Sequence, residues 1–563
     1  MNRLDGAADA SLAPGTNLPG GGGGASWCFL LPSLELGRVV CLGSPSQAAL
    51  ITLARLATEV IVCAPRRRLR GLRQAVKGLS NVSLLETSRG KPLPLPPEST
   101  DLVFLPRPNG GAQREIERLL TPTGLVYVEY RAFTRRRPGD PTRSLAQLGP
   151  AQLLWLAPAA GEIRAAAPFA DERTISYLES RFRAGRLLRR RILREPMRVL
   201  GREPVVSSFV RRRGLLVQRA TSGSHVGPPK YLQTIAARAD LDLAGFTWGL
   251  AAPGVYSSQK LLLFLFDRVH EAPVHVAKIT RDPRHNPRLE NEWRALNLLR
   301  EHGIGDDGTL PKPLFLDSHG TLAILGETAI DGAPFLQQTQ ATAECPYARA
   351  AVGWLLELGI RTAHRAPDEA PRVTEMLAAL VERFNDVYRV DPDHVAFLAA
   401  QASTLVEAES DLQFVFQHGD PGPWNLVVTA DGRPAFLDWE AAEPHGMPLW
   451  DLFHFLRSFG LLVSRATGKH DALESFADQI LGDSALNRLL VETASQFCTE
   501  TGLDSSLVGP LFYLSWMHRA LKEASRLPQN RLERGRYVNL LQLAIERRDS
   551  SGLRRLFALP TPG

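Results

Sequence analysis

Cysteine is scarce in this chain. Its 563 residues hold five, Cys28, Cys41, Cys63, Cys345 and Cys498, odd in number, scattered, and never paired as CxxC. That pattern excludes a disulfide framework and a zinc ribbon, and it makes a reducing cytoplasm the expected compartment. Long hydrophobic runs are missing as well. No stretch approaches the ~20 apolar residues that a bilayer crossing needs, and no apolar signal core follows a basic N-terminus. Composition is not extreme, with 44% hydrophobic and 22% charged residues, which excludes wholesale disorder. GxxxxGK[ST], HExxH, GxSxG and EF-hand patterns do not occur.

What is present is unevenly spread. Residues 1–225 contain 34 Lys+Arg and 17 Asp+Glu, a balance of +17, and the remainder contains 32 and 42, a balance of −10; together they give the net +7. A basic front and an acidic rear point to two units with different surfaces. Residues 1–30, with five consecutive glycines at Gly20 to Gly24, read as a disordered tail. Residues 31–220 form the first expected unit. Apolar runs at Arg38–Leu42, Glu59–Ala64, Val82–Leu85, Asp101–Leu105 and Leu125–Tyr130 alternate with helical periodicity at Ser46–Ala57 and Glu115–Leu120. Strands alternating with helices predict parallel pairing in a doubly wound α/β sheet.

The segments PLPPESTDLVFLPR and IERLLTPTGLVYVEY within this unit resemble the fourth- and fifth-strand region of class I methyltransferases. The cofactor motif of that family is eroded here. The first turn, Gly43-Ser44-Pro45-Ser46, has one glycine, and the second strand ends Cys63-Ala64-Pro65-Arg66 without the ribose-binding carboxylate. The expectation is therefore a methyltransferase-like scaffold without methyl transfer. Farther on, Arg181, Arg183, Arg186, Arg189, Arg190, Arg191, Arg194 and Arg198 crowd one helix, and Arg211–Arg213 follow. This is a candidate contact for nucleic acid or anionic lipid, weighed against a plain solvated face. Residues 221–234 read as a linker.

The chemistry lies in the rear. Phe416–Val428 reads FQHGDPGPWNLVV, in which Asn425 follows Asp420 by five residues, and Asp438 comes eighteen residues after Asp420 in AFLDWE. Strand-like flanks bracket both segments. A loop would present a carboxylate and a carboxamide, and a hairpin would return a second carboxylate to the same point. Upstream, Lys278 stands on the strand-like run HVAKI, and Glu292 stands on a helical stretch spanning residues 287–300.

HGDxxxxN, the Asp438-Trp439-Glu440 triplet and Pro448–Leu452 resemble the aminoglycoside phosphotransferase and choline kinase superfamily. The likeness spans residues 235–545. It implies an α+β protein kinase-like fold with an N-lobe at 235–335 and a C-lobe at 336–563. It also implies ATP and Mg²⁺ as cofactors and a small-molecule hydroxyl as acceptor. Asp420 would deprotonate that hydroxyl, Asn425 and Asp438 would hold the metal, and Lys278 would contact the phosphates and pair with Glu292, or failing that with Glu290. Gly254, Ser257 and Ser258 fall where a phosphate-covering loop belongs, and Ile324–Gly332, with Glu327, falls at the interlobe hinge. Asp451 would buttress the catalytic loop. Gly419 replaces the arginine of protein kinases, which favours a small acceptor, and the acidic rear fits a cationic one. The competing expectations are a nucleotide-binding pseudokinase serving as an interaction module, and a kinase tethered to a membrane or polyanion through its basic front.

Overall fold

The computed structural model describes residues 25–74, 76–88, 91–107, 112–133, 145–157, 163–190, 210–219, 227–252, 260–365, 372–525 and 527–560. One thirteen-stranded sheet runs through both halves of the chain. The front half contributes β1 (Leu36–Leu42), β2 (Ala57–Ala64), β3 (Val82–Glu86), β4 (Thr100–Leu105), β5 (Leu120–Phe133), β6 (Ala151–Ala157), β7 (Ala165–Pro168) and β8 (Val210–Gln218). Strands β3-β2-β1-β4-β5 are parallel, the doubly wound arrangement that the sequence pattern predicts. The last five residues of β2 are buried without a break, as a strand covered on both faces requires. The helix Gln47–Leu56 starts at Ser46, whose hydroxyl accepts from the Ala49 amide at 3.2 Å. Beyond β5 the pairing turns antiparallel, through β8 to β6 to β7.

The sheet does not stop there. β7 pairs antiparallel with β9 (Thr247–Ala251), and β10 (Lys260–Phe266), β11 (His275–Thr280), β13 (Leu322–Thr328) and β12 (Pro313–His319) continue it. Ala165, Ala166 and Ala167 at the joint are fully buried, small enough for the two halves to close on each other. One apolar core crosses the joint and takes in Trp27, Leu50 and Tyr127 from the front with Trp248, Leu263 and Ile324 from the rear. The 16-residue helix Asn286–Glu301 packs on β11, β12 and β13. The C-lobe is helical and carries β14 (Gly332–Pro334), β15 (Val415–Gln417), β16 (Leu426–Thr429), β17 (Pro434–Phe436) and β18 (Glu443–Gly446) as two small sheets. No helix among the described residues is long and apolar enough to cross a membrane.

Two expectations are corrected. Residues 25–30 belong to the fold rather than to the tail. Ser26–Leu30 forms a buried 3-10 turn, and Trp27 stacks on Tyr127 with ring centroids 3.9 Å apart. The run WCFLL is too apolar to stay in water. The linker also ends early, because the helix Lys230–Arg238 buries Tyr231, Leu232, Ile235 and Ala236 in the shared core, and the Tyr231 hydroxyl donates to the Phe29 carbonyl at 2.8 Å. The parallel pairing expected of the alternating strand and helix stretch is found there, in β1 to β5, and antiparallel strands follow it. In the arginine-rich region, Arg181 lies over the rings of Tyr177 (5.2 Å) and Phe264 (4.9 Å), and Arg213 lies over Phe169 (4.2 Å). The side chains of Arg183, Arg186, Arg189 and Arg190, and all of Arg191, Arg194 and Arg198, lie outside the described residues.

Trp27→Ala is expected to cost about 3–5 kcal/mol through the cavity it leaves. The check is the urea unfolding midpoint, which would stay unchanged if the segment were a loose tail.

Candidate active site

Strand register brings two lysines together. Lys278 on β11 faces Leu262 on β10, and Lys260 faces Thr280. Alternation along a strand then puts Lys260 and Lys278 on one face as diagonal neighbours, ~7–8 Å apart at Cβ. Lys278 Nζ lies 2.6 Å from Glu292 Oε1 and 2.7 Å from Glu327 Oε1. Lys260 Nζ donates to Asp438 Oδ1, lies 2.9 Å from Glu440 Oε2, and is 3.8 Å from Glu292 Oε2. Both lysines are about 5% exposed, and Glu292 is fully buried. Burial works against their charge, yet the surrounding carboxylates win and hold both ammonium groups above the ordinary lysine range. Burial pushes Glu327 up to about 7, with Lys278 pulling the other way.

Glu292 joins the lobes. Its Oε1 also accepts from the Trp439 amide at 2.9 Å, so the helix that positions Lys278 also holds the segment carrying Asp438. Asn291 adds a bond from its side-chain amide to the Ala442 carbonyl at 2.9 Å. Glu290, the alternative partner for Lys278, is exposed.

The loop after β15 carries Asp420. Asp451 receives the His418 amide at 2.6 Å and the Gly419 amide at 3.1 Å, so it orients the loop and does not line an acceptor cleft. Gly419 has φ +75°, and a Cβ there would collide with the Ala441 carbonyl oxygen. Only glycine lets the loop lie this close to the segment after Asp438. His418 is buried, its Nε2 lies 3.0 Å from the Leu437 carbonyl oxygen, and burial lowers its pKa to about 4, which makes it a structural group rather than a base.

Asp420 Oδ1 lies 3.3 Å from His454 Nε2 and 3.2 Å from Arg519 Nη2. Burial opposes its ionisation, but the His454 hydrogen bond and the charges of Arg519 and Lys522 keep its carboxyl well below the usual range. Arg519 and Lys522 both donate to the Gly419 carbonyl, at 2.8 and 2.9 Å. Asn425 donates its amide to the Asp420 carbonyl at 3.0 Å, and its backbone carbonyl takes the Leu437 amide at 2.8 Å. Because Leu426 pairs with Phe436, Asn425 and Asp438 flank the same end of the β16–β17 hairpin. Asp438 holds φ +70°, which turns its side chain out of the strand direction. Asn425 Oδ1 and Asp438 Oδ2 make no protein hydrogen bond among the described residues. Two hard oxygen donors of this kind suit Mg²⁺, which takes few protein ligands and completes its shell with water and phosphate.

The structure thus brings together Asp420, Asn425, Asp438, Lys278 and Glu292. Glu327 turns its carboxylate to Lys278. Gly254, Ser257 and Ser258 lie outside the described residues. Sequence reasoning missed Lys260, His454, Arg519 and Lys522. Glu440, the last residue of the Asp438-Trp439-Glu440 triplet, pairs with Lys260 and, at 3.3 Å, with Arg288.

Glu327 has a sharp pH signature. Its folded pKa of about 7 stands above the ordinary 4.5, so between those values the folded state holds a proton the unfolded state has lost. Stability therefore falls as pH rises from about 4.5 to 7. In urea unfolding across that window, the advantage of wild type over Glu327→Gln is expected to shrink steadily as pH rises; a constant difference would contradict the assigned environment.

Residues 267–479 match the family model described as "Phosphotransferase enzyme family". No curated protein matches the chain. Among solved structures, the chain is similar to an ethanolamine kinase of Plasmodium vivax, with 11% identity over 56% of this chain and 89% of that one and a TM-score of 0.38. It is also similar to an aminoglycoside phosphotransferase of Streptomyces rimosus in complex with ADP and streptomycin, with 19% identity over 51% and 96% and a TM-score of 0.31. A SAM-dependent methyltransferase of Aquifex aeolicus matches 21% of this chain and 74% of its own length at 18% identity, with a TM-score of 0.17. Overlays at these scores carry no argument; the match at residues 267–479 is to the phosphotransferase enzyme family and covers less than half of the chain.

Proposed function

We propose that the rear half transfers the γ-phosphate of ATP to a hydroxyl group of a small molecule. The observation that carries this reading is the chain of contacts within the matched region, in which Glu292 holds both Lys278 and the Trp439 amide next to Asp438, and Asn425 bonds the Asp420 carbonyl. Asp420, held ionised by its cationic neighbours, accepts hydrogen bonds, orients the attacking hydroxyl and takes its proton as the bond to phosphorus forms. Its low basicity makes it a positioning carboxylate first and a late proton acceptor second. Lys278, fixed between two carboxylates, presents a charge to the phosphates without wandering. Asn425 and Asp438 would hold Mg²⁺, which when bound offsets the charge of the triphosphate. Rate acceleration then comes from placement and electrostatics.

The acidity of the rear half is balanced by cations around Asp420. Arg519 and His454 lie against its carboxylate, Trp424 Nε1 is 3.5 Å from its Oδ2, and Lys522 stands close, with the Glu443 carboxylate acting on both Arg519 and Lys522. Arg457, one turn after His454, is buried with its guanidinium 5.2 Å from the Tyr537 ring centre, and the Glu523 carboxylate acts on it. A neutral or anionic hydroxyl compound fits these surroundings better than a polyamine. The front half serves as a scaffold in this reading.

Asp420→Asn is expected to lower phosphoryl transfer about 10²–10⁴-fold while ADP still raises the melting temperature as in wild type. Equal turnover by the variant would overturn the assignment. If wild type transfers phosphate to no acceptor while ADP still stabilises it, the chain is a nucleotide-binding module without turnover, the alternative that Lys260's hold on Asp438 favours. A second expectation concerns the acceptor. In a panel of hydroxyl compounds matched for size, those bearing a carboxylate or no charge are expected to give kcat/KM at least about tenfold above those bearing amines, one such charge contact being worth about 1.4 kcal/mol.

A further inference from the structure

Lys260 sits where a metal ion would have to act. Its ammonium is the hydrogen-bond partner of Asp438 Oδ1 and lies 2.9 Å from Glu440 Oε2 and 3.8 Å from Glu292 Oε2. Its side chain is 6% exposed and that of Asp438 28%, so the pair is partly buried and less screened by water than a surface pair. The phosphate-contacting role already belongs to Lys278, which has its own two carboxylates. Lys260 is therefore an additional cation, placed on the one carboxylate that the metal requires.

The charges show what it does there. Glu292, Glu327, Asp438 and Glu440 put four carboxyl groups around two lysines, and Arg288 Nη1 lies 3.3 Å from the Glu440 oxygen that faces away from Lys260. Three of the four, Glu292, Asp438 and Glu440, lie within 4 Å of Lys260. Take its charge away and they face one another across a desolvated space, an arrangement that attracts any small cation. Magnesium binds carboxylate oxygen at about 2.0–2.1 Å. With the Lys260 ammonium on Oδ1, an ion on the free Oδ2 would set two cations against one carboxylate, and their repulsion opposes the ion while the ammonium is in place.

We propose that Lys260 is a stand-in for the divalent cation: its ammonium neutralises Asp438 and Glu440 while no nucleotide is bound, and it yields Asp438 when nucleotide and metal arrive together. A triphosphate supplies the exchange with both of its requirements. It brings oxygen ligands that complete the ion's shell, and it brings negative charge near which the displaced ammonium can rest. Free metal brings neither, so the site resists metal that comes without nucleotide. Binding of the two is then coupled through one lysine. This inference rests on reading Asp438 as a metal ligand.

The test is the affinity for Mn²⁺ in the absence of nucleotide, read on the full chain by electron paramagnetic resonance of free Mn²⁺. Lys260→Met keeps the length of the side chain and removes the charge. It is expected to bind Mn²⁺ at least tenfold more tightly than wild type, and the gain is expected to vanish in Lys260→Met/Asp438→Asn. Lys260→Gln, also neutral but polar, serves as the second variant should the methionine protein fail to fold, and melting curves confirm which variants are folded. Equal or weaker Mn²⁺ binding by the folded neutral variant overturns the proposal, as does a gain that survives Asp438→Asn. No Mn²⁺ binding to any variant, with or without ADP, overturns the proposal together with the metal site. A tenfold gain in a protein that phosphorylates no acceptor leaves the stand-in role intact and sinks only the proposed phosphoryl transfer.

Discussion

Six ionisable side chains share one buried space between the lobes, and the cost of removing them from water governs the geometry around them. A buried ion loses several kcal/mol of hydration unless partners replace it. Lys278, Lys260, Glu292, Glu327, Asp438 and Glu440 supply those partners to one another. The network forms only when β10, β11, β13, the Asn286–Glu301 helix and the loop after β17 are all in place. Glu292 is the member with the most obligations, since a single oxygen serves Lys278 and the Trp439 amide. The lysine–glutamate pair is thus more than a device for holding a lysine. It is the point at which the N-lobe sheet is tied to the segment carrying Asp438.

A second polar assembly fixes the loop on the other side of the cleft. Asp451 takes two consecutive amides, while Arg519 and Lys522 take the next carbonyl, so the backbone from His418 to Gly419 is held at both donor and acceptor sites. Asp420 follows directly and inherits that rigidity. Arg519 also touches the Asp420 carboxylate itself. The same guanidinium therefore sets both where the carboxylate sits and how readily it ionises. The price of that stabilisation is a weak base, which suits a reaction whose proton leaves late better than one that begins with deprotonation.

Much of this was legible in the chain because it is local. The spacing of Asp420, Asn425 and Asp438 reflects one loop and one hairpin, and the alternation of strand and helix in the front half reflects short connections. Lys278 could be found because a strand and a helix follow each other closely. Lys260 could not. It opens the apolar run KLLLFLF and reads as the edge of a strand, and its proximity to Lys278 depends on a register set across an eight-residue connection. Arg519 and Lys522 are hidden for a related reason. They lie about 100 residues past the loop they hold, on a helix whose apolar face explains its existence without them. The helix Trp450–Ala466, which supplies His454, was read only at its first residues, since eleven of its seventeen positions are buried and its periodicity is correspondingly blurred. The cationic surroundings of Asp420 were invisible to a charge count, because an acidic total says nothing about which few charges meet in a cleft.

The continuity of the sheet bears on why the front half is there at all. Had β9 been the outer strand of the N-lobe, its backbone amides and carbonyls would stand exposed, as at any sheet edge. β7 covers that edge with the alanine-rich run Ala165–Ala167, and the helix Lys230–Arg238 lays Tyr231, Leu232 and Ile235 into apolar surface drawn from both halves. The antiparallel strands that depart from the parallel pattern, β8, β6 and β7, are the ones that make this connection. In the turn after β1, Ser46 spends its hydroxyl on capping the helix Gln47–Leu56. A scaffold that holds β10 and β11 from outside also holds Lys260 and Lys278, so the register on which the buried charges depend is fixed from the front of the chain as well as from the cleft.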